Sequence, residues 1–114
     1  MKYALLIYSR EAPAGGRASR EMPAGVAAVL ARPEVTGYAR LEATEAATTV
    51  RLEARKTLLT DGPFVDSKEY LGGLIFVESE DLDGALAIAA DLQELDITAG
   101  IEVRPVFDQE PGGA

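Results

Sequence analysis

Asp61, Asp66, Lys68 and Glu69 crowd into one stretch of the chain, LLTDGPFVDSKEYLGGLIFVES, residues 58–79. Carboxylates and an amine this close can pass a proton or hold a charged ligand, so Asp61, Glu69 and Lys68 are the candidate catalytic groups. The same residues also suit a tight turn. Asp61 precedes Gly62-Pro63, and an Asp at a bend accepts backbone N–H bonds. It reads either as a carboxylate at a strand end beside a groove or as the cap of its own turn. Lys68 and Glu69 either pair with Asp61 and Asp66 or stand solvated. Exposed ion pairs contribute only ~0.2–1 kcal/mol, so stability is a weak reason for them. Phe64 is an apolar anchor or a stacking platform. Gly72 and Gly73 interrupt an otherwise apolar strand, which costs entropy and packing. A bulge, a close backbone contact across a dimer, or room for a ligand would each require them. Arg51 and Arg104, on strands with polar outward patterns, can clamp a carboxylate or pair on the surface. Tyr8, at the end of the first strand, lines a groove or joins the core.

What the chain lacks narrows the chemistry further. Its 114 residues contain no Cys and no His. That removes disulfides, thiolate nucleophiles, imidazole bases and soft metal ligands. A metal site would have to be all-oxygen, of the magnesium or calcium kind, and the motif spacing points to none; no cofactor is implied either. Net charge is −8, a field that repels phosphate backbones and excludes nucleic acid as a partner. The charge is uneven: residues 1–57 hold 9 basic and 6 acidic side chains, and residues 58–114 hold 2 and 13. Either the halves attract across an interface or the charges intermix on one sheet. No apolar run approaches the ~20 residues of a membrane helix, and the N-terminal run is too short for a signal peptide. A cytoplasmic protein without membrane contact is expected.

The elements that must position these groups follow from periodicity. Residues 2–8, apolar on both faces, form a strand, and 9–18, with Pro13 and Gly15-Gly16, a loop. A helix comes next, with Pro23 in its first turn, Met22, Val26, Val29 and Leu30 at helical spacing, and Pro33 stopping it. Strands are expected at 35–42, 48–54, 57–60, 70–78 and 101–107, with Arg55-Lys56 as a turn. The strand at 70–78 is apolar on both faces and should be central. Pro105 favours a sheet edge or bulge. Ser79 caps a second helix with an acidic first turn. Leu82, Ala85, Leu86, Ala89 and Gln93 make one face of it, widened by Ile88, Leu92 and Leu95.

This order predicts an α+β fold: a ferredoxin-like split βαβ with an extra β-hairpin. One domain is expected over 1–108, with a flexible tail at 109–114. Right-handed crossovers put both helices on one sheet face, leaving the other bare. The strands there are apolar on both sides, and fully burying one large side chain is worth about 1.5–3 kcal/mol. A second copy packed on the open face, a homodimer, is the economical answer; the C-terminal segment or the 9–18 loop could cover it instead.

From Thr48 to Val106 the sequence resembles the DGPF proteins of the YCII-related family. Asp61, Gly62, Pro63, Phe64, Lys68, Glu69, Gly72 and Gly73 fit that family's motif, and MKYALLIY agrees at the N-terminus. Residues 9–45 match poorly and look shortened. The resemblance implies a dimeric α/β barrel, a bacterial cytoplasmic setting, and association with an extracytoplasmic-function sigma factor. It also implies a His-Asp pair in the wider group and lyase activity in some relatives. This chain has no His, so that chemistry does not carry over; Asp96, before Thr98-Ala99-Gly100, stands near an Asp of relatives at a shifted spacing. The expected function is a homodimeric small-ligand-binding or accessory protein. The alternative is a His-free lyase or isomerase, or a cofactor-independent oxygenase, acting on a small carboxylate or phenol in the helix–sheet groove.

Overall fold

The computed structural model describes residues 1–10 and 21–110. In chain order the elements are β1 (Lys2–Arg10), α1 (Ala24–Leu30), β2 (Val35–Arg40), a short 3-10 turn (Thr44–Ala46), β3 (Thr48–Glu53), β4 (Lys56–Asp61), β5 (Glu69–Glu78), α2 (Leu82–Gln93) and β6 (Gly100–Pro105). Four strands form one antiparallel sheet in the order β2-β5-β1-β6, and β3 and β4 form a separate two-stranded ribbon. The architecture is α+β, and its interleaved strand order is compatible with the expected ferredoxin-like plan.

Side-chain alternation explains why β1 and β5 are central. Tyr3 and Leu5 of β1, with Ile75 and Val77 of β5, point to one face and are buried against Val29 of α1 and Ala85, Ile88, Ala89 and Leu92 of α2. No charged or polar residue is buried among the described residues. Arg32, just after α1, forms an ion pair of 2.8 Å with Asp91 of α2 and so ties the two helices together. The opposite face carries Ala4, Leu6, Leu74 and Phe76, paired in register as Ala4–Phe76 and Leu6–Leu74. These are half-buried, and none belongs to the helix-covered core.

Both edges of the sheet are irregular. At one, β2 shifts register against β5 between Val35 and Gly37. At the other, Pro105 lies in β6, opposite Tyr3, which is the edge placement expected of a residue without an N–H.

Several local expectations need correction. β1 runs on through Ser9 and Arg10, where a loop was expected; residues 11–18 of that loop, like 111–114 of the tail, lie outside the described residues. Pro23 precedes α1 as its cap rather than sitting in its first turn, and the helix ends at Leu30, ahead of Pro33. β2 stops at Arg40, short of residue 42. The hairpin turn is Ala54-Arg55, both with positive φ of 50° and 66°, not Arg55-Lys56. A two-residue loop between right-twisted strands demands that backbone hand even without Asn or Gly. The cap of α2 is Asp81, whose carboxylate accepts from the Gly84 N–H at 2.9 Å. Ser79 instead donates to the Asp81 carbonyl. On α2, Leu82 and Leu86 are exposed while Ile88 is buried, because the helix rolls its 85–88–89–92 stripe onto the sheet.

This core sets the cost of two substitutions. Leu5 is fully buried, so Leu5→Ala should cost about 2–5 kcal/mol in urea unfolding. Asp81→Ala should cost about 0.5–2 kcal/mol, with Ser79→Ala costing less.

Candidate functional site

One end of the four-stranded sheet, where β1 and β2 finish and β5 begins, is hollowed on both faces. A cleft of about 810 Å³ opens between Tyr8 and Leu71 of the sheet and Phe64 and Val65 at the root of the β3–β4 hairpin. The connection through Ala43, Ala46 and Ala47 forms its other wall. Glu42, Ser67, Glu69 and Tyr70 contribute the polar groups with Tyr8 and Thr44. On the helix side, a narrower hollow of about 310 Å³ lies between Val26 and Leu30 of α1 and the sheet residues Ile7, Tyr38 and Ile75. A shallow groove of about 610 Å³ passes along Arg40–Ala43 and Tyr70 between the two.

The irregularity that shapes this end is built from the two glycines. Ile7 pairs with Gly73, and Tyr8 pairs with Leu71. Gly72 is thus an extra residue in β5, and the resulting bulge bends the strand and re-aims the neighbouring side chains. A Cβ on Gly72 would stand 2.6 Å from the Ser9 hydroxyl, and one on Gly73 would stand 3.0 Å from the Ala39 carbonyl oxygen of β2. Both glycines line the helix-side hollow.

The motif residues therefore part company. Tyr8, Phe64 and Glu69 meet at the larger cleft, and Gly72 and Gly73 floor the smaller one. Asp61 ends β4 opposite Thr48 and lines neither. The turn after it is held by other groups: the Gly62 N–H donates to the Ala47 carbonyl at 2.8 Å, and Thr49 Oγ1 donates to the Gly62 carbonyl at 2.7 Å. Gly62 has a φ of 109°, a conformation suited to glycine. Lys68 lines neither cleft and makes no ion pair with Asp61 or Asp66 among the described residues. The Arg51 guanidinium lies 5.1 Å from the centre of the Phe64 ring, a cation–π contact worth about 0.5–1 kcal/mol when exposed. Arg104 pairs with Glu102 on its own strand, opposite Ala4 and away from Tyr8.

Sequence reasoning missed the 41–47 wall and the placement of Tyr38 and Tyr70. The only cue to the wall was a run of small residues, Ala43, Ala46 and Ala47, in a segment with no strong period. Asp96, with a φ of 54°, borders a small recess with Ser9 and Arg10. No cluster of three metal-ligating side chains occurs among the described residues, and no helix among them is long and apolar enough to cross a membrane.

Gly73→Ala should destabilise the fold by about 1–3 kcal/mol in urea unfolding, because a backbone carbonyl cannot easily give way. Gly72→Ala should cost less, since a serine hydroxyl can rotate, and Ser9→Ala should relieve what cost remains.

Residues 1–110 match the profile of the YCII-related domain. The chain is also similar to an uncharacterised protein of Rhizobium meliloti (strain 1021), 34% identical over 120 residues, covering 98% of this chain and 97% of that protein. By both its domain profile and this full-length relative, the chain belongs to the YCII-related family.

Proposed function

We propose that the protein is a homodimer, built as an α/β barrel across the open sheet face, that binds a small organic ligand in the cleft between Tyr8 and Phe64. The single observation carrying this is the cleft itself. Its volume of about 810 Å³ falls in the ~300–1,000 Å³ range of ligand sites, and its mix of apolar walls and few polar groups is theirs too. It also opens on the side of Leu71 and Tyr8, the face where Leu6 and Phe76 await a cover. A partner packed there would roof the cleft and exclude water from it.

The charge of the lining narrows the ligand. Among the described residues Glu42 and Glu69 are the charged groups of this wall, and neither Arg51 nor Arg104 lines it. That arrangement favours a neutral phenol or an aryl amine over a carboxylate, since an anion placed beside the Glu69 carboxylate would be repelled by it. A binding role without chemistry also suits an accessory protein of a sigma factor. A second reading, a His-free lyase or isomerase, draws on Glu69 alone among the catalytic candidates: it lines the cleft with Tyr8 and Tyr70, where a carboxylate base beside two phenols could act.

Thermal-shift and calorimetric titration with substituted phenols and aryl amines tests the proposal. The expected result is saturable binding that weakens at least tenfold in Phe64→Ala and in Glu69→Gln and is unaffected by Arg104→Ala. Absence of binding by every compound of both classes, or binding indifferent to Phe64 and Glu69, rejects it.

A further inference from the structure

The β3–β4 hairpin is the part of the chain whose construction its own subunit does not explain. Among the described residues its strands pair only with each other, and no other described element packs substantially against them. Register places Val50 opposite Leu59 and Leu52 opposite Thr57, so Val50, Leu52 and Leu59 share one face. They are 65%, 75% and 70% exposed. The reverse face carries Arg51, Leu58 and Thr49. A two-stranded ribbon is at best marginally stable alone in water, and three large apolar side chains left wet on one face give it no reason to persist. The molecule is correspondingly extended: its radius of gyration is 15.9 Å, against about 13 Å for a compact chain of this length.

Charge and position decide what covers the ribbon. Residues 48–60 carry Arg51, Arg55 and Lys56 against Glu53, a net +2 on a chain of −8, which leaves −10 for the remainder. A basic arm on an acidic body is attracted to a second copy of that body. The arm's root, Phe64 and Val65, faces Tyr8 and Leu71 across the larger cleft. It therefore leaves the subunit on the open-face side, the side at which a partner would sit.

We infer that the β3–β4 hairpin is an exchange arm: in the dimer each copy lays its Val50–Leu52–Leu59 face on the acidic body of the other. This rests on the homodimer reading above and goes beyond it. The open sheet face would hold the subunits together, while the arm would embrace the partner and acquire its own stability only there. The strained Ala54-Arg55 tip is tolerable in such an arm because the partner, and not the hairpin alone, holds it.

Sedimentation and hydrogen–deuterium exchange across a dilution series of the full chain test this. In the dimer, amides of residues 48–60 should exchange at least a hundredfold more slowly than free peptide. That protection should vanish on dilution to monomer, while β1 and β5 stay protected. The double variant Val50→Asp/Leu59→Asp should raise the dimer dissociation constant at least tenfold without lowering protection of β1 and β5. Half-molar salt should weaken the wild-type dimer more than an Arg55→Gln/Lys56→Gln variant. A dimer whose arm exchanges freely, or whose dissociation constant ignores the aspartates, overturns the arm while leaving the face-to-face dimer standing. An arm equally protected in monomer and dimer likewise overturns the arm alone, whereas a wild-type chain that stays monomeric at every concentration overturns both.

Discussion

A β-layer with two apolar faces and helices for only one of them governs this molecule. Leu5 and Val77 turn toward the helices and are fully buried. Their neighbours Ala4, Leu6, Leu74 and Phe76 turn the other way and meet no helix among the described residues. Net stabilities of small domains are only about 5–15 kcal/mol, so the difference between covering and exposing those four side chains is of the same order as the fold itself. The placement of the cleft and of the hairpin root on that second face follows from the same geometry.

Where the sequence spoke through strong periodicity, it was legible. β1, β5 and α2 carry apolar repeats set by burial, and their existence, order and central or peripheral rank could be read from residue types. Pro105 announced its edge because a missing donor admits few positions. Boundaries were less readable. Ser79 and Asp81 are equally good caps by type, and only the geometry of Gly84 decides between them. Ala54-Arg55 has no glycine or asparagine to mark it as a turn; the strands on either side impose the conformation.

The site was legible as a segment but not as an arrangement. The run from Asp61 to Gly73 spans a strand end, a turn and a bulged strand, and three-dimensional closure distributes its members over different surfaces. Phe64 and Glu69 reach one cleft because Tyr8 lies across the bulge from them. Asp61 is carried off with the hairpin. Such partition depends on long-range pairing, such as Tyr8 with Leu71, that local residue types do not encode. The opposing wall at 41–47 was invisible for the complementary reason: small residues there leave space, and space has no signature in a one-dimensional pattern.

The sheet's two borders have a further bearing on how the chain can associate with itself. Free strand margins invite lateral annealing into ever-longer ribbons. Here one margin ends at a proline beside the Glu102 and Arg104 side chains, and the other is broken by the offset at Gly37. The proline removes one backbone donor from its border strand, and the offset disturbs the strand that forms the other border. Lateral annealing of this four-stranded sheet is thereby discouraged.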